Sequence, residues 1–130
     1  MIVDTSAILA ILYAEPEAGK LADRLETASR PSMSAATYVE AAIVADRHPD
    51  PITRRRFDDF IREAGINIEP VTEAQAMIAR EAYRDFGKGS GHPAQLNFGD
   101  CFAYALARDR GEPLLFKGDD FSHTDITPAI

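Results

Sequence analysis

The chain alternates short apolar runs with longer segments whose apolar residues recur at helical spacing. Met1-Ile2-Val3 is apolar and stops at Asp4, which reads as a short buried strand. Ala7 to Tyr13 follows as a short apolar helix. Glu15-Pro16-Glu17 restarts the chain with proline at a first helical position, and Ala18, Leu21, Ala22, Leu25 and Ala28 continue at helical spacing. After the extended piece Pro31-Ser32-Met33-Ser34, Ser34 caps a helix whose apolar face reads Ala36, Val39, Ile43. Asp50-Pro51 opens another helix, with Phe57, Phe60, Ile61 and Ala64 as its stripe and Gly65 as its end. Ile66 to Val71 predicts a strand. Thr72-x-x-Gln75 resembles a capping box for a helix reaching about Phe86. A glycine loop, Gly87 to Pro93, precedes a helix over Asn97–Arg110 that Gly111 closes. Pro113 to Phe116 predicts a buried strand running into Lys117-Gly118-Asp119-Asp120, and a last short strand is expected in Ile126–Ile130. Strands alternating with amphipathic helices imply a parallel sheet covered on both faces. Ligands bind such sheets beyond the carboxyl ends of the strands.

At 130 residues the chain fits one domain, residues 1–130, and 45% hydrophobic residues suffice for a packed core. No apolar run approaches the ~18 residues of a membrane helix, and the N-terminal residues do not read as a signal peptide. The lone cysteine, Cys101, excludes a disulfide framework and a cysteine zinc cluster and reads as a small buried hydrophobe; the expected location is the cytoplasm. The 14 Lys and Arg face 21 Asp and Glu, a net charge of −7. A protein that binds nucleic acid by general attraction is usually basic, so a nucleic-acid role here needs a local site or bound cations.

Two strands end in acid at the ligand edge: Val3 before Asp4, and Phe116 before Asp119 and Asp120. Asp4 either caps the next helix or belongs to a site. Glu40 has Ala36, Thr37, Ile43 and Val44 as its helical neighbours, which suggests partial burial; a buried carboxylate is costly unless paired or bound to a cation. Asp100 either closes a capping box with Asn97 or joins the acids, and Gly99 beside it removes a side chain where close access to the backbone is needed. Asp125 is a further candidate. Carboxylates converging on one edge call for a counter-cation, and hard divalent ions prefer oxygen ligands. The histidines lack metal spacing, and the glycine loop lacks a P-loop ending.

The pieces Ile2-Val3-Asp4-Thr5-Ser6-Ala7, Ser34 to Glu40, Asn97-Phe98-Gly99-Asp100-Cys101 and Pro113 to Phe121 together resemble a PIN-domain ribonuclease, specifically the VapC toxins of type II toxin–antitoxin pairs. Each piece is short, but the ordered set spans almost the whole chain. The resemblance implies a three-layer α/β/α sandwich around a short, mainly parallel sheet of about four to five strands. It also implies Mg²⁺- or Mn²⁺-dependent RNA cleavage leaving a 5′-phosphate, inhibition by a VapB-type antitoxin, and a homodimer. It maps the acids to Asp4, Glu40 and Asp100. Asp4 and Asp100 are expected to hold the metal, directly or through water, and Glu40 and the fourth acid to orient and deprotonate the attacking water or to complete a second cation site. That fourth acid is expected at Asp119, with Asp120 as the substitute, because the family's Thr after the last buried strand is missing here. Thr5, Ser6 and Asn97 are expected to support the site. Lys88, His92, Lys117 and Arg54-Arg55-Arg56 are candidate backbone contacts for RNA, although the arginines also read as a solvated face. The antitoxin is expected near Ile8, Ile11, Leu12 and Tyr13.

Other readings use the same acids. A phosphohydrolase with Asp4 as nucleophile would want a second Asp where Ser6 stands. A receiver-like phospho-acceptor would want paired acids after the first strand. A non-toxin PIN-type nuclease, or a non-catalytic acidic module that binds a basic partner, also fits the composition.

Overall fold

A computed structural model describes residues 1–130. In chain order the elements are β1 (Ile2–Val3), α1 (Thr5–Leu12), α2 (Ala18–Glu26), β2 (Ser32–Ser34), α3 (Ala35–Asp46), α4 (Pro51–Glu63), β3 (Asn67–Glu69), α5 (Glu73–Phe86), α6 (Phe98–Arg110) and β4 (Leu114–Leu115). A single 3₁₀ turn, Asp120–His123, follows β4.

The four strands pair in the order β3-β2-β1-β4, all parallel, with Ile2 opposite Ser32 and Leu114. Successive side chains leave a strand on opposite faces. Ile2 and Leu114 join a core under α5 and α6 with Leu96, Ala103, Leu106 and Phe121. Val3, Met33 and Leu115 join a second core under α1, α2 and α4 with Ile8, Leu21, Leu25 and Phe57. The result is the expected α/β/α sandwich. Strand order reverses at β1: the chain steps from β1 to β2 and β3 on one side, then returns to β4 on the other. Crevices form at such reversals, here beyond Val3 and Leu115.

The helix starts follow their caps. Asp4, Ser34, Asp50 and Thr72 each accept a bond from a backbone amide in the first turn of the helix that follows. Gly65 and Gly111 end α4 and α6 with positive φ, which glycine adopts without steric cost.

Several expectations are corrected. Pro16 lies in a turn, and α2 starts at Ala18. The strand expected over Ile66–Val71 is only Asn67–Glu69, because β3 is an edge strand with Ile68 40% exposed. The strand expected in Ile126–Ile130 is one bridge, Leu114 to Pro128. On α3 the expected stripe faces outward, with Val39 53% and Ile43 45% exposed, while Thr37, Ala41 and Ala45 are buried. That helix is apolar nearly all round, so its periodicity does not pick a face, and its small residues allow the close approach. Ile8 lies fully in the core and offers no docking surface; Ile11, Leu12 and Tyr13 are half-buried. Phe98 starts α6 and is 76% exposed, its ring edge-on to Phe102.

Candidate active site

Asp4 stands at the carboxyl end of β1, in the crevice between β1 and β4, and is buried. Its Oδ2 accepts from the Ser6 amide at 3.0 Å and the Ser6 hydroxyl at 2.6 Å. Its Oδ1 is buried with no partner. Ser6 Oγ in turn accepts the Lys117 amide at 3.0 Å, and the Asp4 amide donates to Leu115 O at 3.0 Å. These bonds tie the two strand ends together around Asp4. Burial pushes the Asp4 carboxyl above its usual range, the Ser6 bonds oppose this, and the charge of Glu40 adds to it.

Asp100 is the third residue of α6 and is buried. It and Asn97 form the capping box that the spacing offered: the Asp100 amide donates to Asn97 Oδ1 at 2.8 Å, and the Asn97 amide donates to Asp100 Oδ2 at 3.0 Å. The capping-box reading of Asp100 therefore holds, and the cap bond through Oδ2 leaves Oδ1 available to a ligand. Its carboxyl is pushed up to about 7: burial is the main cause, and the charges of Asp4, Asp120 and Glu40 add to it against the Asn97 amide. The charges of Asp4, Glu40 and Asp120 thus reach Asp100, although the four acids come from β1, α3, α6 and the turn after β4.

Glu40 is half-buried on α3, as its neighbours suggested. Its carboxylate lies against Gly99, in the space a side chain there would fill. This is the close approach that the glycine beside Asp100 implied. Asp119 and Asp120 are both exposed at the start of the 3₁₀ turn. Of the two, Asp120 is the one whose charge adds to the rise at Asp100.

The other candidates make contacts of their own or stand in solvent. Thr5 donates to Thr37 O at 3.3 Å and holds α1 to α3. Lys117 turns its amine to Glu15 and Glu17. His92 packs edge-on against Phe86 and accepts the Ala94 amide through Nδ1, while Lys88 is exposed. Arg54 donates to His48 O and Pro49 O; Arg55 and Arg56 are solvated. Asp125 is remote from the cluster in its partners: burial raises its carboxyl, but Tyr104 and Arg108 hold it below the usual range overall. Cys101 is buried, and burial pushes its thiol up to about 11. Thr37 is a residue the sequence did not single out: its hydroxyl is buried without a partner, like Asp4 Oδ1. Its only signal was its place one turn before Glu40 on the helix.

No basic side chain pairs with Asp4, Glu40, Asp100 or Asp120. No three His, Cys, Asp or Glu side chains close tightly enough to enclose an ion by themselves. This donor set suits Mg²⁺ or Mn²⁺, hard ions of which Mg²⁺ typically keeps several waters and uses one or two carboxylates. The partnerless buried Asp4 oxygen and the raised Asp100 carboxyl are the groups that such a charge would satisfy.

Comparison with known proteins agrees with this architecture. The PIN domain family model matches residues 1–126. Ribonuclease VapC28 of Mycobacterium tuberculosis is 58% identical over 130 residues, covering 100% of this chain and 98% of the relative. The crystal structure of M. tuberculosis VapC20, described as a sarcin-ricin loop cleaving toxin, superposes with a TM-score of 0.74 at 17% identity, covering 97% of this chain and 95% of that one. A toxin–antitoxin complex from Klebsiella pneumoniae gives a TM-score of 0.69 at 16% identity, covering 93% of this chain and 89% of that one. Match by match, the fold, the family model and the full-length kinship converge, and the chain belongs to the PIN domain family, among its VapC ribonucleases.

Proposed function

We propose that this chain is the toxin of a toxin–antitoxin pair, an endoribonuclease whose centre is Asp4, Glu40, Asp100 and Asp120. The observation that carries this reading is the set of four carboxylates without a basic partner, three of which add to the rise that burial gives Asp100, to about 7. Asp4 and Asp100 would hold Mg²⁺ or Mn²⁺. The bound ion would polarise the phosphodiester and lower the pKa of the attacking water. Ser6 fixes the Asp4 carboxylate, and Asn97 fixes that of Asp100. Glu40 and Asp120 orient the attacking water and take its proton, Asp120 replacing Asp119 because its charge reaches Asp100. Attack by water at phosphorus leaves a 5′-phosphate and a free 3′-hydroxyl.

The substrate is RNA and the inhibitor a VapB-type antitoxin, readings supported by the names of the relatives. A basic antitoxin side chain entering the cluster would supply the missing positive charge. A homodimer is supported by the large apolar side chains that α3 exposes, Val39, Ile43 and Val44. No helix is long and apolar enough to cross a membrane, and the proposed location is the cytoplasm.

The test is cleavage of RNA by purified, antitoxin-free chain with Mg²⁺, with Mn²⁺ and with EDTA. Wild type should cleave with either ion and stop in EDTA. Asp4→Ala, Asp100→Ala and Asp120→Asn should each lose about 100-fold or more, and Asp119→Asn should cleave normally. Cleavage in EDTA, or undiminished cleavage by Asp4→Ala or Asp100→Ala, would overturn the mechanism. No cleavage with any cation would leave the acids as a binding surface.

A further inference from the structure

We propose that Gly99 is a positioning residue: the side chain it lacks leaves the notch in which the Glu40 carboxylate lies beside Asp100. A Cβ at position 99 would stand 1.8 Å from Glu40 Oε2, 2.6 Å from its Cδ and 3.1 Å from Oε1, and no other atoms lie closer. Gly99 occupies the second position of α6 and its φ is not positive, so the backbone there does not need glycine. Glycine is a poor helix former, and its one structural consequence at this position is the room it gives Glu40. Glu40 has no hydrogen-bond or ion-pair partner to hold it, so the notch at Gly99 is the contact that places the third acid beside Asp100. Any larger residue sends the Glu40 carboxylate out along its three rotatable bonds and leaves Asp4 and Asp100 in place.

The inference rests on the ribonuclease reading for its effect on rate, but not for its geometry. The test therefore uses two measurements on the full chain. The first is the ¹³C-carboxyl signal of Glu40 without metal or RNA, assigned by its loss in Glu40→Gln. In Gly99→Ala this signal should move to the position of a solvated glutamate. The second is Mg²⁺-supported RNA cleavage. In Gly99→Ala kcat should fall by about 100-fold or more, to the level of Glu40→Ala, with KM for RNA little changed and the thermal midpoint no lower than wild type. The double variant Gly99→Ala/Glu40→Ala should match Glu40→Ala, because the notch is then empty. If Gly99→Ala alone fails to fold, the double variant should still fold as Glu40→Ala does. An unmoved Glu40 signal, full activity in Gly99→Ala, multiplying losses, or a double variant that does not fold overturns the positioning role. A wild type that cuts no RNA while the Gly99→Ala signal shifts overturns the ribonuclease reading and leaves the positioning standing.

Discussion

Asp100 caps α6 through one oxygen, and its carboxyl, buried among Asp4, Glu40 and Asp120, is raised from 3.8 to about 7. Between about pH 4 and pH 7 the folded chain holds a proton there that the unfolded chain releases. A carboxyl raised in this way favours folding at low pH, and that contribution is lost as pH rises through about 7. Asp4 is shifted in the same direction. Asp100→Asn keeps an acceptor for the Asn97 amide and removes the buried charge. It should raise the metal-free thermal midpoint at pH 8 by roughly 5 °C and abolish cleavage, both read in one melting and one activity series. A lowered midpoint would mean that the charge is not strained. At this scale the sequence was informative where chemistry and spacing coincide, as at Asp4, Glu40 and the Asn97–Asp100 pair. It placed the fourth acid at Asp119 with Asp120 as the substitute, and adjacent residues in a turn differ only in the direction their side chains take, which no local pattern gives. It could not see the unpartnered Thr37 hydroxyl, because that follows from what surrounds it.

The helix caps were readable because each is a local bond between a side chain and an amide two or three residues on. Asn97 carries the most consequence among them. Asn97→Ala removes the acceptor for the Asp100 amide and should cost about 1 kcal/mol in urea unfolding, with a larger loss of cleavage because the Asp100 carboxylate is no longer oriented. A stability cost with normal cleavage would show that the cap serves only the helix. Faces were less readable than ends. α4 announces Phe57 as its buried residue through a clear amphipathic stripe, and truncating it to alanine should cost about 3–5 kcal/mol. α3 is apolar on every side, and only packing turns Thr37, Ala41 and Ala45 inward and leaves Val39 and Ile43 outside.

Across the whole molecule the acids meet because strand order reverses at β1, which brings the ends of β1 and β4 side by side. The alternation of strands and helices foretold a covered parallel sheet, but pairing order is a long-range property that no local pattern encodes. On the proposed function, a chain of net charge −7 would meet RNA at its cluster of acids, and a cation bound there would act on the fold as well as on the reaction. At pH 8, Mg²⁺ at about 100 times its dissociation constant should stabilise wild type by about 2.7 kcal/mol and leave Asp4→Asn and Asp100→Asn almost unchanged. Equal stabilisation of all three would put the ion elsewhere. The most direct measurement is the titration of the Asp100 carboxyl by ¹³C NMR, with and without Mg²⁺. Without the ion it should titrate near 7, and with the ion well below that. A midpoint in the ordinary carboxylate range that Mg²⁺ does not move would contradict a shared pocket of acids built around a cation.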